Sequence, residues 1–127
     1  MSHIAEVKTV FKSLDDISAA AKRRGGMLFQ GVKHFKWYSG QGKADHVIRF
    51  PGARYEVGVS VKPDGTFSLS WDSWNSGGLL PFMGHDAGLF SQAYAVEAAR
   101  RAARIKGYAT VERARADGHI ELELVVR

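Results

Sequence analysis

The sequence contains no cysteine and only three prolines in 127 residues. The absence of cysteine excludes disulfides, thiolate nucleophiles and thiolate metal sites, and it is typical of proteins from a reducing compartment. No stretch approaches the roughly 18–20 apolar residues that a membrane-spanning helix requires. The first residues also lack the charged start and apolar run of a signal peptide. We therefore expect a cytoplasmic protein with no membrane partner.

Low-complexity tracts and linkers rich in proline or serine are missing as well, so residues 1–127 are predicted to form a single domain. Hydrophobic residues make up 45% of the chain, which is enough for one core. Lys and Arg total 18 against 13 Asp and Glu, a formal net charge of +5. This charge favours contact with nucleic acid or another polyanion. The alternative is a basic surface that is simply solvated, without such a partner.

Two helices are predicted from the hydrophobic pattern. Ser13 suits the N-cap of the first helix, and Asp16 completes a pair of the capping-box type. The glycines at 25–26 end this helix. The second helix is expected over residues 90–106, and Gly107 ends it.

Seven strands are predicted from alternating hydrophobic and polar residues. The clearest hairpin has Pro63, Asp64 and Gly65 as its turn, between two alternating segments. In the last strand, large apolar residues alternate with polar ones, so one face of the sheet should be buried and the other exposed to solvent. The predicted strands cover approximately residues 3–11, 27–38, 46–50, 55–61, 67–71, 108–115 and 119–126.

The elements follow the order β-α-β-β-β-β-α-β-β. Consecutive hairpins with few helices favour an antiparallel sheet that has its helices on one face. We therefore predict an α+β fold, a single domain with a mainly antiparallel sheet and two helices packed on one face of it.

Several motifs resemble those of a known family. They are the opening Met-Ser-His, Val7-Lys8-Thr9, Asp72 with Trp74, Ser91-Gln92-x-Tyr94-Ala95, Lys106-Gly107-Tyr108 and Asp117-Gly118-His119-Ile120-Glu121-Leu122. In this order the chain resembles the hypothetical chloroplast reading frame thirty-five family, a domain of unknown function found in small plastid, cyanobacterial, bacterial and phage proteins. The resemblance implies a shared fold. It assigns no catalytic residue, because the family has no established activity.

Residues that commonly bind metals or transfer protons have no specific spacing here. Neither H-x-H nor H-E-x-x-H occurs among the five histidines at positions 3, 34, 46, 85 and 119. The loop at 40–43 lacks the spacing of a phosphate-binding loop, and G-x-S-x-G is missing. His119 and Glu121 share the wet face of the last strand, where solvated surface residues are the simpler interpretation. We expect no metal, cofactor or catalytic residue, and a small enzyme of unknown reaction is only the third hypothesis.

A glycine-rich segment carries large apolar side chains that regular structure does not obviously bury. Such side chains on a loop often mark a binding surface. The leading hypothesis is therefore a non-enzymatic interaction or accessory protein that binds a partner protein through this segment. The alternative is that the loop folds back and caps the sheet. The predicted interface consists of Trp71, Trp74, Leu79, Leu80, Phe82 and Met83.

Basic residues on the two helices form a second candidate surface. If they merge into one patch, they could meet phosphates, with Trp37 and Tyr38 as stacking aromatics. This is the hypothesis of a nucleic-acid-binding protein. The alternative is a solvated helix face in which Glu97 pairs with Arg101. The predicted patch consists of Lys22, Arg23, Arg24, Arg100, Arg101, Arg104 and Lys106.

Overall fold

The computed structural model describes residues 4–6 and 9–126 of the chain. Over these residues it contains strands, helices and single turns of 3₁₀ helix at 75–77 and 85–87. In chain order the elements are β1 (Ile4–Glu6), α1 (Leu14–Arg23), β2 (Met27–Gln30), β3 (His34–Trp37), β4 (Gly40–Lys43), β5 (His46–Arg49), β6 (Val57–Val61), β7 (Phe67–Asp72), α2 (Leu80–Met83), α3 (Gly88–Ile105), β8 (Ala109–Ala114) and β9 (Ile120–Val125).

Five strands form an antiparallel sheet in the order β1-β7-β6-β5-β2. Helices α1 and α3 cover one face of this sheet. The core between them contains Ile17 from α1, Phe90 from α3, and Val59 and Trp71 from the sheet. Removal of this apolar surface from water is the main term that stabilises the fold. The predicted α+β architecture, with an antiparallel sheet and two helices on one face, is confirmed.

The predicted central hairpin is confirmed as β6 and β7, in which Val61 lies opposite Phe67. In the turn, the Asp64 carboxylate accepts hydrogen bonds from the backbone N–H of Thr66 at 2.9 Å and from its hydroxyl at 2.6 Å. Gly65 has a φ of +85°, which favours glycine. Residues that are neighbours in sequence therefore determine this turn.

Both main helices lie close to their predicted positions. Gly107 follows α3 with a φ of +80°, and Gly25 follows α1 with a φ of +89°. The hydroxyl of Ser13 accepts from the backbone N–H of Asp16 at 3.2 Å, so the predicted N-cap is confirmed. Within the described part of the chain, no helix is long and apolar enough to cross a bilayer.

The second half of the predicted capping box is replaced by contacts from α3. The buried carboxylate of Asp16 accepts two hydrogen bonds from the Arg101 guanidinium, each at 2.9 Å. The backbone N–H of Ser13 donates to the Tyr94 hydroxyl at 3.2 Å, and the N–H of Lys12 donates to it at 2.8 Å. Because α3 packs across the start of α1, it supplies partners that local sequence does not predict.

The strand predicted over 27–38 is divided in two, which corrects the sequence analysis. Gly31, with a φ of +77°, turns the chain between β2 and β3. The loop expected at 39–42 contains most of β4, which pairs with β3 so that Phe35 lies opposite Gly42. The described residues therefore contain one hairpin more than predicted.

The β3–β4 hairpin covers the sheet face opposite the helices. Phe35 is only 4% exposed, and its ring lies against Gly42 and Gly58. Val57 and Val59 pack towards the helices. Because successive residues of a strand face opposite sides of the sheet, Gly58 lies on the side away from the helices. A second, smaller core thus forms where a glycine leaves room for a ring.

The two ends of the chain differ in how well they match the prediction. Of the strand expected over 3–11, β1 accounts for residues 4–6, residues 3, 7 and 8 lie outside the described residues, and Phe11 forms only an isolated bridge with Phe67. The last predicted hairpin is confirmed as β8 and β9. These two strands form a separate two-stranded sheet that contacts α3.

Candidate functional site

Half of the predicted apolar interface lies in the core. Trp71, Leu79 and Met83 are buried, so they cannot contact a partner while the domain keeps this fold. The half-buried Phe82 stacks on Phe50 with ring centroids 4.7 Å apart. Trp74, which is 40% exposed, and the half-buried Leu80 are the members with more accessible surface. The loop folds back onto the body, as in the alternative of a cap over the sheet.

Hydrogen bonds explain why this glycine-rich segment is ordered. The Gly77 carbonyl accepts from the backbone N–H groups of Arg54 at 2.9 Å and of Tyr55 at 3.1 Å. The Arg24 side chain donates to the carbonyls of Pro81 and Phe82, each at 3.0 Å. These carbonyls lie in the short helix α2, so Arg24 satisfies groups that the helix itself leaves without partners.

Much of the predicted basic patch is engaged in ion pairs within the protein. Arg23 binds Glu97 at 3.0 Å and Glu112 at 2.5 Å, and Arg100 approaches both carboxylates at 3.4–3.5 Å. Arg101 binds Asp16, so the expected pairing of Glu97 with Arg101 is wrong. Hydrogen bonds to Glu112 raise the pKa of Arg23 above its ordinary value. Members with no ion pair inside the described ranges are Lys22, Arg24, Arg104 and Lys106, of which Arg24 donates to backbone carbonyls instead.

The ion pair between Arg23 and Glu112 predicts a pH dependence of stability. Hydrogen bonds from Arg23 lower the pKa of the Glu112 carboxyl. A depressed pKa means that the pair stabilises the fold above the carboxyl's unfolded pKa, and that this contribution is lost as the pH falls through the folded pKa. We expect Glu112→Gln to be less stable than wild type near neutral pH and equally stable in acid.

Chemical denaturation at a series of pH values measures this difference. Glu121→Gln is the matched control, because it removes a carboxylate from the neighbouring strand that makes no salt bridge with another described residue and has only a longer-range attraction to Arg113. A stability difference for Glu112→Gln that stayed constant with pH would contradict the prediction.

The structure brings together a groove that the sequence analysis did not find. Two adjoining cavities of about 480 and 730 Å³ lie beside the β3–β4 hairpin, within or near the usual range for ligand sites. They share Lys36, Ala53, Arg54 and Tyr55. We call this feature the sheet groove, and its lining includes Met27, Phe29, Lys36, Trp37, Tyr38, Gln41, Arg49, Phe50, Ala53, Arg54, Tyr55, Glu56 and Ser76.

Glu56 organises the cationic side of the sheet groove. Its carboxylate accepts from the backbone N–H of Lys36 at 2.9 Å and from Nε of Arg49 at 2.7 Å. Arg49 also lies over the ring of Phe29, 4.7 Å from its centroid. Lys36 and Arg54 are exposed and make no ion pair with any other described residue. The groove therefore has three cationic side chains and one carboxylate, which is already bound.

Aromatic side chains form the other part of the lining. Tyr38 is 57% exposed, and its backbone N–H donates to the buried carboxylate of Asp72 at 3.2 Å, which fixes the end of β3. The indole N–H of Trp37 is buried and has no hydrogen-bond partner among residues 9–126. An unpaired buried donor of this kind is an exception in folded proteins, where buried polar groups are normally hydrogen-bonded.

Acid–base and metal-binding residues are not gathered in this groove. Among the described residues, no group of three or more His, Asp or Glu side chains is arranged to hold a metal ion. His46 accepts from the backbone N–H of Gly31 at 3.1 Å, which is a structural role. His119 lies 3.5 Å from Asp117 in the exposed turn between β8 and β9. The groove therefore offers cations, aromatic rings and hydrogen-bond donors rather than a proton-transfer pair.

Lys36, Arg49 and Arg54 are the cationic site residues that sequence reasoning missed. Trp37 and Tyr38 were expected to assist the helical patch, but they line the same cavity as Lys36 and Arg54. Four separate segments, 25–29, 36–41, 49–56 and Ser76, meet in the groove, and only the fold brings them together. Comparison of the chain with family models, with curated proteins and with solved structures gives no significant match. The family resemblance stays a prediction.

Proposed function

We propose that the protein is a non-enzymatic binding module that holds single-stranded nucleic acid in the sheet groove. The observation that supports this most strongly is the combination of cationic and aromatic side chains along two adjoining cavities. Proteins that bind single strands use a positive groove for the phosphates and aromatic rings for the bases.

Electrostatics favour an anionic ligand for this groove. Lys36 and Arg54 have no carboxylate partner in the described part of the chain, and Glu56 is already bound by Arg49. The net charge of +5 adds a long-range attraction for a polyanion. Tyr38 offers an exposed ring next to these cations, on which a base could stack.

The groove is a better candidate than the helical patch. Arg23, Arg100 and Arg101 already bind carboxylates, and a phosphate would have to displace those partners. Reversing the charge of Arg100 or Arg101 would also break contacts that hold the fold together. A loss of binding in such variants would then be difficult to interpret.

A charge reversal in the groove tests the proposal. We expect wild type to bind a labelled oligothymidine or oligouridine, measured by fluorescence anisotropy, with an affinity that falls steeply between about 50 and 200 mM salt. Arg54→Glu should weaken binding and reduce the slope of log affinity against log salt by about 1 or more. Tyr38→Ala should cost about 1–3 kcal/mol of binding free energy if one base stacks there.

Arg104→Glu is the matched control, because Arg104 is also an exposed arginine with no ion pair to another described residue. It changes the net charge by the same amount on α3. Equal losses in the two variants would mean non-specific attraction rather than a groove site. A loss only in Arg104→Glu would place the binding site on the helical patch. Absence of binding at low salt would refute both the groove site and the helical site.

A protein partner is the second candidate. The accessible part of the predicted apolar interface, Trp74 and Leu80, lies close in sequence to Ser76, which lines the groove. A protein partner would therefore contact a smaller surface than the segment 71–83 as a whole. If oligonucleotides fail to bind, this rim is the surface to test next.

A further inference from the structure

Arg49 differs from the other cations of the sheet groove because the fold holds its side chain in place. Its Nε donates to the Glu56 carboxylate at 2.7 Å, and its guanidinium lies over the Phe29 ring, 4.7 Å from the centroid. The side chains of Lys36 and Arg54 make no hydrogen bond or ion pair with another described residue. Arg49 is therefore oriented by the fold itself, whereas the other two side chains are not.

The register of the main sheet brings Arg49 and Phe29 together. Arg49 lies opposite Met27 in the pairing of β5 with β2, and Phe29 is two residues further along β2. Such diagonal neighbours share a face of the sheet, and they are within reach of long and aromatic side chains. Ile48, the residue before Arg49, packs in the core with the helices, so Arg49 lies on the opposite face, beside the groove.

Glu56 is a firm anchor for Arg49 because its own position is fixed by the backbone of β3. Its second carboxylate oxygen accepts from the backbone N–H of Lys36 at 2.9 Å, and its own backbone N–H donates to the Lys36 carbonyl, also at 2.9 Å. The Glu56 side chain is 18% exposed, whereas that of Arg49 is 46% exposed. The outer part of the guanidinium thus stays accessible while Nε is held from below.

The contact with Glu56 uses only one of the three guanidinium nitrogens of Arg49. Neither Nη1 nor Nη2 has a hydrogen-bond partner in the described part of the chain. These two nitrogens carry four N–H donors in a planar fork. Arg23 of the helical patch, by contrast, donates from all three nitrogens to carboxylates within the protein. Arg49 therefore binds a carboxylate and still offers a pair of donors.

We propose that Arg49 binds the two non-bridging oxygens of one backbone phosphate of the single strand, and that Glu56 positions it for this contact. This role rests on the proposed function, and it names the chemical group that the groove recognises. A phosphodiester presents two oxygens that share a negative charge, and a guanidinium binds such a pair through two parallel hydrogen bonds. Because Arg49 is already oriented, less side-chain entropy is lost when the phosphate binds.

The rest of the groove fits a strand that starts from this contact. Lys36 and Arg54 line the same cavity as Arg49 and add positive charge without a fixed direction. Both of them also line the adjoining cavity, to which Tyr38 belongs and Arg49 does not. A strand with one phosphate on Arg49 therefore runs past the two free cations towards the exposed ring on which a base stacks.

Arg49→Lys tests the fork, because lysine keeps the charge and removes the paired donors. We expect the affinity for labelled oligothymidine, measured by fluorescence anisotropy, to fall about tenfold, the usual effect of a lost hydrogen bond to a charged group. The slope of log affinity against log salt should change little, since that slope counts neutralised phosphates.

Arg54→Lys is the matched control for the fork. Arg54 lines the same cavity as Arg49, but no carboxylate holds it among the described residues. Its replacement by lysine should weaken binding much less than Arg49→Lys does. Equal losses in the two variants would contradict a special role of Arg49.

Glu56→Gln separates positioning from simple electrostatics, because the two predict changes of opposite sign. Removal of a negative charge from the groove would by itself strengthen the binding of a polyanion. The amide, however, has an NH₂ donor where the carboxylate has its second acceptor oxygen, so it no longer holds both Lys36 N–H and Arg49 Nε. We expect the affinity to fall about fivefold, as for one lost hydrogen bond.

The same substitution in the Arg49→Lys background should have the opposite effect. Without the fork, only the charge of Glu56 matters for binding, so the double variant should bind more tightly than Arg49→Lys alone. Structural damage would weaken binding in both backgrounds. The change of sign therefore distinguishes a positioning residue from one that only stabilises the fold.

The remaining outcomes separate this role from the proposed function. Tighter binding of Glu56→Gln in both backgrounds, or weaker binding in both, would overturn the positioning by Glu56 while the groove stays the binding site. A wild-type chain that binds no oligothymidine at low salt would overturn the proposed function together with the role of Arg49.

Discussion

Phe35→Ala is expected to lower the free energy of unfolding by about 3–5 kcal/mol, the usual cost of truncating a buried phenylalanine. The ring is the main apolar group under the β3–β4 hairpin, on the sheet face that the helices do not cover. Its loss leaves a cavity above Gly58 and releases β3, which carries Lys36 and Trp37. Denaturation by urea, followed by circular dichroism, measures the change.

A double-mutant cycle of Phe35 and Gly58 tests whether the Phe35 ring packs against Gly58. A Cβ atom at Gly58 would lie 2.4 Å from the Phe35 ring, and it would also lie within 3.1 Å of two further ring atoms. Gly58→Ala should therefore cost about 1–3 kcal/mol in wild type, as other overpacked cores do. In the Phe35→Ala background the methyl group has room, so most of this cost should disappear.

Gly88→Ala is the control for this cycle. A Cβ there meets no atom within 4 Å, and the φ of −59° suits any residue. The same added methyl group should increase stability by about 0.4–1 kcal/mol, because it restricts the unfolded chain. An equal cost of Gly58→Ala with and without Phe35 would contradict the described packing of the hairpin.

Tyr94→Phe is expected to lower the free energy of unfolding by about 1–3 kcal/mol. The buried hydroxyl accepts hydrogen bonds from the backbone N–H groups of Lys12 and Ser13. Phenylalanine keeps the edge-to-face contact with Phe11, at a centroid distance of 4.8 Å, but leaves both donors without a partner. The effect is therefore that of a lost acceptor, with little change in packing.

Hydrogen exchange adds a local measurement to the denaturation of this variant. The amides of Lys12 and Ser13 should exchange faster in Tyr94→Phe, while those of β5 keep their relative protection. Tyr108→Phe is the matched control, because the hydroxyl of the half-buried Tyr108 makes no hydrogen bond within the described ranges. Similar losses in the two variants would mean that the hydroxyl of Tyr94 does not hold the N–H groups of Lys12 and Ser13.

Much of the fold was predictable because its signals are local. The turn at 63–65 needs only an aspartate and a glycine between two alternating segments, and the ends of α1 and α3 need only glycines. The Ser13 cap is a contact across three residues. Each of these features depends on residues that are neighbours in the chain, so the sequence pattern is sufficient.

The candidate site was predictable only in its residue types. The excess of cations kept a polyanion ligand as the alternative to a protein partner, with Trp37 and Tyr38 as aromatics that could stack on it. Which cations remain available was not predictable, because Arg101 meets Asp16 across 85 positions of the chain. Arg54 gave no signal of its own, since only the packing of β3 beside it makes it part of a groove.

The sequence by itself excluded thiol chemistry, and it determined the α+β class, the two main helices and the turn of the central hairpin. Those conclusions rest on composition and on contacts between near neighbours. Tertiary structure alone decided that Trp71, Leu79 and Met83 are core, that most of the helical arginines are ion-paired, and that Lys36, Arg49 and Arg54 line one groove. These outcomes depend on which distant segments pack together, and packing is a property of the whole chain that no local pattern contains.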